Sequence, residues 1–134
     1  MAQNARPISP HLQVYRWRAN MLVSILHRAT GSGLAIGGTL IMLWWLLAAA
    51  SGDSAYTYFL GAARSWVGCL VLVGLTWGFL QHMLSGLRHL YMDTGAGYEP
   101  AKSRRLAALT MVGSAGLTAL IWAAILLRDQ GGVS

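Results

Sequence analysis

The run Ser65 to Leu87, SWVGCLVLVGLTWGFLQHMLSGL, holds 23 residues without a single Asp, Glu, Lys or Arg. At about 1.5 Å of rise per residue, a helix of that length crosses a hydrocarbon core of roughly 30 Å. Two further runs share the property, Ala29 to Ala50 and Leu106 to Leu127. Hydrophobic residues make up 55 % of the 134-residue chain and charged residues 10 %, against roughly 25 % charged in soluble domains. The expectation is an all-α membrane protein with three transmembrane helices in one membrane-anchor domain, 1–134. Its parts are an N-terminal segment 1–23, helix 24–50, helix 65–90 and helix 104–127.

The first apolar run begins near residue 29, behind an Arg-rich polar stretch, and exceeds the usual apolar core of a secretory signal. It is expected to remain in the mature protein. The net charge of +6 reports topology and not a nucleic-acid partner, because the charges gather at the borders of the spans. Arg6, Arg16, Arg18 and Arg28 precede the first apolar run, and Arg88, Lys102, Arg104 and Arg105 lie between the second and third runs. Only Arg64 and Arg128 fall on the other side, so the positive-inside rule sets the N-terminus in the cytoplasm, or in the matrix of an organelle.

Aromatic residues agree with this assignment. Trp44, Trp45, Trp66 and Trp122 fall toward the expected outer ends, and Tyr15, Trp17, Tyr91 and Tyr98 toward the inner side, as interface anchors. Cys69 is the sole cysteine, so no Cys-x-x-Cys pair exists to hold zinc or an iron-sulfur cluster. The connections, about 15 to 18 residues each, are too short for a nucleotide-binding fold.

Inside the spans the informative residue is His82, because an imidazole among lipid-facing side chains needs a partner, and a metal is the most telling one. Five residues short of Leu87, it lies roughly 8 Å below the inner border. At 100° per residue, Gly74, Gly78, His82, Gly86 and His89 form one slowly drifting stripe. Two explanations stand side by side. Gly74 with Gly78, and Gly33 with Gly37, have the GxxxG spacing of close helix packing; small residues beside a histidine also leave room for a flat macrocycle.

A second polar group opens the first helix, in SILHRATGSG (24–33). Ser24, His27, Arg28 and Gly31 share one face, at a depth close to that of His82 and His89. Arg28 alone reads as a residue snorkelling to headgroups. In the company of His27 and a hydroxyl it also suits an anionic or carbonyl ligand, such as a haem propionate or a quinone headgroup.

Three stretches resemble one family: RPISPHLQVY (6–15), SILHRATG (24–31), similar to its SxxHRxTG signature, and HMLSGLRHLYMD (82–93), similar to HxxxGxRHLxxD. The family is that of the cytochrome b anchor of succinate dehydrogenase, respiratory complex II, the larger of two membrane anchors. The resemblance implies that His82 is an axial ligand of a haem b, with a second anchor subunit supplying the other. It implies that His27 and Arg28 contact the haem propionates, and that His89 and Arg88 hold the inner edge of the pocket. It implies a ubiquinone site at Ser24, Ile25 and Arg28.

No catalytic residue is expected in this chain, because the resemblance puts succinate oxidation on a flavoprotein subunit carrying FAD. An iron-sulfur subunit with its clusters would relay electrons to quinone and dock on the first 20 residues, with Pro7, Ser9, Pro10 and His11. The expected location is the bacterial inner membrane, or the mitochondrial inner membrane in a eukaryote. Asp93 reads as solvated or paired with Arg88 or His89, with proton delivery as the sharper option. The alternatives are an anchor of a quinol-using fumarate reductase, a non-catalytic three-helix scaffold, and a small transporter subunit. The last is disfavoured by the lack of acidic residues in the membrane core and of an inverted repeat.

Overall fold

The computed structural model describes residues 15–131, and side chains as far as Arg128. The expected docking residues Pro7, Ser9, Pro10 and His11 lie outside the described residues. The described chain is helical, without strands, in the order α1 (Ala19–Gly33), a π-helical turn (Leu34–Gly38), α2 (Thr39–Ser51), α3 (Asp53–Arg64), α4 (Trp66–Asp93) and α5 (Pro100–Gly131). Three stretches are long and apolar enough to cross a membrane: Ala19–Ser51, Trp66–Asp93 and Pro100–Arg128.

The first of these is 33 residues, roughly 50 Å at 1.5 Å per residue. It outruns a hydrocarbon core by several turns, a mismatch that tilt accommodates. The helix starts ahead of the apolar run because residues 19 to 28 carry no helix breaker. Its middle widens into the π turn LAIGG, just where Gly33, Gly37 and Gly38 remove the side chains that would stiffen the ladder.

The connection expected as a loop between the first two spans is the helix α3. Its twelve residues are amphipathic, and Phe59 is buried, with Trp44 of α2 edge-on at 5.0 Å. Ser65 then caps α4, its Oγ accepting from the Gly68 N–H at 3.1 Å. The α3–α4 corner is so tight that a Cβ at Gly68 would overlap the Ala62 carbonyl oxygen. Cys69 closes the same corner, half-buried, with Sγ 3.7 Å from the carbonyl oxygens of Ala63 and Arg64. At the other end, Gly95 and Gly97 take positive φ values of 84° and 81° to turn the chain. Pro100 opens α5 at the position that needs no backbone donor.

Burial is inverted relative to a soluble bundle. Val23, Ala48, Phe59, Leu80 and Ala107 are the buried apolar residues, while Gln81, Ser85, Arg88, Ser103, Thr110, Ser114 and Thr118 are also buried. Leucines are exposed along every span, joined by Trp44, Trp45 and Trp66, as lipid or a neighbouring subunit requires. Helix α4 is central and packs on α1, α3 and α5.

Candidate functional site

Where α1 begins and α4 ends, at the end of the bundle that carries most of the basic residues, three imidazoles converge. The His27 and His82 rings stack face to face, 4.1 Å between centroids and 6° from parallel. His89 stands 5.2 Å from His27, tilted by 55°. Helical spacing explains the pair on α4, since seven residues return to nearly the same face. His27 reaches them because α1 crosses α4 at that depth.

Each ring nitrogen has a different fate. Nδ1 of His82 lies 3.1 Å from the His27 carbonyl oxygen; a carbonyl only accepts, so Nδ1 carries the proton and Nε2 holds the free lone pair. That Nε2 makes no hydrogen bond among the described residues and is not an enclosed atom. Nδ1 of His27 is enclosed without a partner. An imidazole with one nitrogen held by a backbone carbonyl and the other free has the arrangement of a metal-bound histidine.

Gly31 is what allows the approach. A Cβ there would sit 2.8 Å from Cε1 of His82, closer than side-chain carbons pack. Gly86 contributes less, with a Cβ meeting Cε1 of His27 at an ordinary 3.8 Å. The GxxxG residues behave differently. Gly33, Gly37 and Gly74 have nothing within 4 Å of a would-be Cβ, and Gly78 meets Thr30 at 3.9 Å. Gly33, Gly74 and Gly78 instead floor an open cleft of about 290 Å³ between α1 and α4.

The other residues singled out in the sequence divide. Ser24 is half-buried, about one turn before His27 on α1, while Arg28 and Ile25 are exposed. Arg88 does not join the histidines. Six residues from His82, it lies about 120° around the helix, and its Nη2 donates to Ser103 at 3.0 Å and Asn20 at 3.5 Å. Asn20 Nδ2 donates to the same Ser103 Oγ at 3.1 Å, so one triad pins α1, α4 and α5 together. Asp93 is exposed at the last residue of α4. Among the described residues no three His, Cys, Asp or Glu side chains gather as a self-sufficient metal site.

Sequence reading missed a second polar set, on the α4–α5 interface. Ser114 donates to Gln81 Oε1 at 2.7 Å, both fully buried. Trp122 Nε1 donates to Thr76 at 3.3 Å. The signal was present in the spacing: Gln81, Ser85 and Arg88 on α4, and Ser103, Thr110, Ser114 and Thr118 on α5, each follow a helical face.

Residues 2–124 match the family described as succinate dehydrogenase/fumarate reductase transmembrane subunit. The chain is 39 % identical, over 86 % of its own length and 88 % of the relative's, to the succinate dehydrogenase cytochrome b556 subunit of Paracoccus denitrificans. It is 35 % identical to the cytochrome b556 subunit of Rickettsia felis, over 89 % and 92 %. It is also 33 % identical to the mitochondrial cytochrome b560 subunit of Bos taurus, over 86 % and 71 %.

Proposed function

The chain belongs to the transmembrane-subunit family of succinate dehydrogenase and fumarate reductase, as a cytochrome b anchor of complex II, and from that premise we propose that it binds haem b through His82 and ubiquinone through Ser24 and Arg28. The observation that carries the reading is the half-bonded imidazole of His82, with Nδ1 held at 3.1 Å by the His27 carbonyl.

The donor set fits the group. The neutral imidazole of His82 would offer one nitrogen to iron, and a further ligand would come from another chain. Gly31 keeps the His82 ring where the His27 carbonyl fixes its tautomer. His27 and Arg28 would face the haem propionates, with His89 at the inner edge of the pocket. When bound, haem b supplies one-electron redox capacity at this depth.

For quinone, Arg28 offers a cation and Ser24 a hydroxyl donor, with Ile25 as an apolar wall on the membrane side. Positive charge and a donated hydrogen bond stabilise the charge that develops on a carbonyl oxygen during reduction. Arg88 acts at one remove, as the clamp that fixes α4 against α1 and α5. The basic end would face the cytoplasm, or the matrix, where an iron-sulfur subunit delivers electrons and a flavoprotein oxidises succinate.

Replacing Ser24 by Ala and Arg28 by Leu tests the quinone assignment in the purified complex. The expected result is a fall of about tenfold or more in succinate:quinone activity in each variant, with electron transfer to a soluble artificial acceptor retained. Unchanged quinone kinetics in both variants would remove the two residues from the site.

A further inference from the structure

Arg88 is only 7 % exposed, yet the groups its guanidinium meets are neutral. Nη2 is shared between Ser103 and Asn20, Nε is enclosed without a partner, and Nη1 is neither bonded nor enclosed. No carboxylate pairs with it among the described residues, and Asp93 and Glu99 are both exposed. A buried cation without an anion is unfavourable in a low-dielectric setting, so the site is electrostatically incomplete.

Beside this guanidinium runs a groove of about 270 Å³ between α4 and α5, walled by Leu84, Leu87, Tyr91, Leu106 and Leu109. Tyr91 of its wall carries a second cation, with the Lys102 ammonium 5.4 Å from the ring centroid and the charge of Glu99 also acting on it. The other end of the groove is leucine-lined and open, with Leu87 and Leu109 exposed. The chemistry therefore runs from two cations to an alkyl-lined trough within about two helical turns.

We propose that this groove seats an anionic phospholipid, with its phosphate between Arg88 and Lys102 and one acyl chain along the leucines of α4 and α5. Charge complementarity names the head, since among the described residues Arg88 has an unbonded Nη1 and no counter-ion. The leucine wall names the tail. Because Arg88 lies about 120° around α4 from His82, the site is separate from the imidazole cluster and does not depend on the haem or quinone assignments.

The test uses the whole complex, carried into nanodiscs of phosphatidylcholine containing one part in five phosphatidylglycerol, re-extracted in mild detergent and analysed by native mass spectrometry. Wild-type complex should retain phosphatidylglycerol in preference to phosphatidylcholine. Arg88→Gln should lower that retention about tenfold, the scale of one charge-assisted hydrogen bond. Because Arg88 also ties three helices together, Leu109→Trp provides a second arm: it fills the groove from an exposed position, leaves Arg88 intact, and should also displace the lipid. Excess inorganic phosphate should leave the lipid in place, since the acyl contacts remain. The proposal is overturned if wild type holds the two lipids equally, if both variants retain wild-type amounts, or if inorganic phosphate alone displaces the lipid.

Discussion

Toward α5, helix α4 turns Gln81 and Arg88, and α5 answers with the hydroxyls of Ser114 and Ser103. Toward α1 it turns His82 and His89, and the answer is a third imidazole, His27. On the first interface side-chain donors meet side-chain acceptors inside the chain, with Gln81 Nε2, Ser85 Oγ and Arg88 Nε enclosed and unpartnered among the described residues. On the second the rings stack, one N–H reaches a carbonyl, and Nε2 of His82 makes no hydrogen bond among the described residues. Both sets are polar groups in apolar helices, and both obey helical spacing. The two differ in the kind of atom the internal partners leave over: a lone pair at Nε2 of His82, against N–H donors on Gln81 and Arg88.

Gly31→Ala should disturb this division most. Its Cβ would sit 2.8 Å from the His82 ring, so the ring must swing and lose the His27 carbonyl. Overpacking of this kind costs about 1–3 kcal/mol. The expected outcome is a weakened or shifted reduced b-type band. Gly33→Ala, two residues on, meets nothing within 4 Å and should leave the band unchanged while favouring the helix by up to about 1 kcal/mol. Identical spectra in the two variants would deny Gly31 its role.

On the α5 side the effects should be smaller and spectrally silent. Ser114→Ala strips Gln81 of its hydrogen bond and should lower stability by about 1–2 kcal/mol, read from detergent or thermal unfolding of the complex. Adding Gln81→Leu to that variant should recover part of the loss, because no buried amide is then left unpaired. A changed haem spectrum in Ser114→Ala would couple the two interfaces. Trp122→Phe, which gives up the 3.3 Å bond to Thr76, should cost about 0.6 kcal/mol or less.

The three spans were legible because runs free of charge are long and unambiguous, and the single histidine inside one of them drew attention to itself. Helix α3 was not, since its twelve residues are too few and too mixed to span. Its helical face, with Tyr56, Phe59, Leu60 and Ala63, gains stability only by packing on α2 and α4. The π turn has no sequence signature beyond clustered glycines. The glycine stripe was legible, but which glycine touches a histidine depends on how two helices cross, and the contact falls at Gly31. The resemblance grouped Arg88 with His89, but neighbours on a helix point about 100° apart, and the Arg88 guanidinium is bonded to Ser103 and Asn20. Gln81 and Ser114 escaped notice because uncharged polar residues do not interrupt an apolar run.

The reduced-minus-oxidised spectrum of the purified complex carrying His82→Ala tests the central claim most directly. The account predicts loss of the b-type bands in that variant, with the bands retained in Ser114→Ala, whose hydroxyl lies on the opposite interface. Wild-type bands in His82→Ala would contradict it.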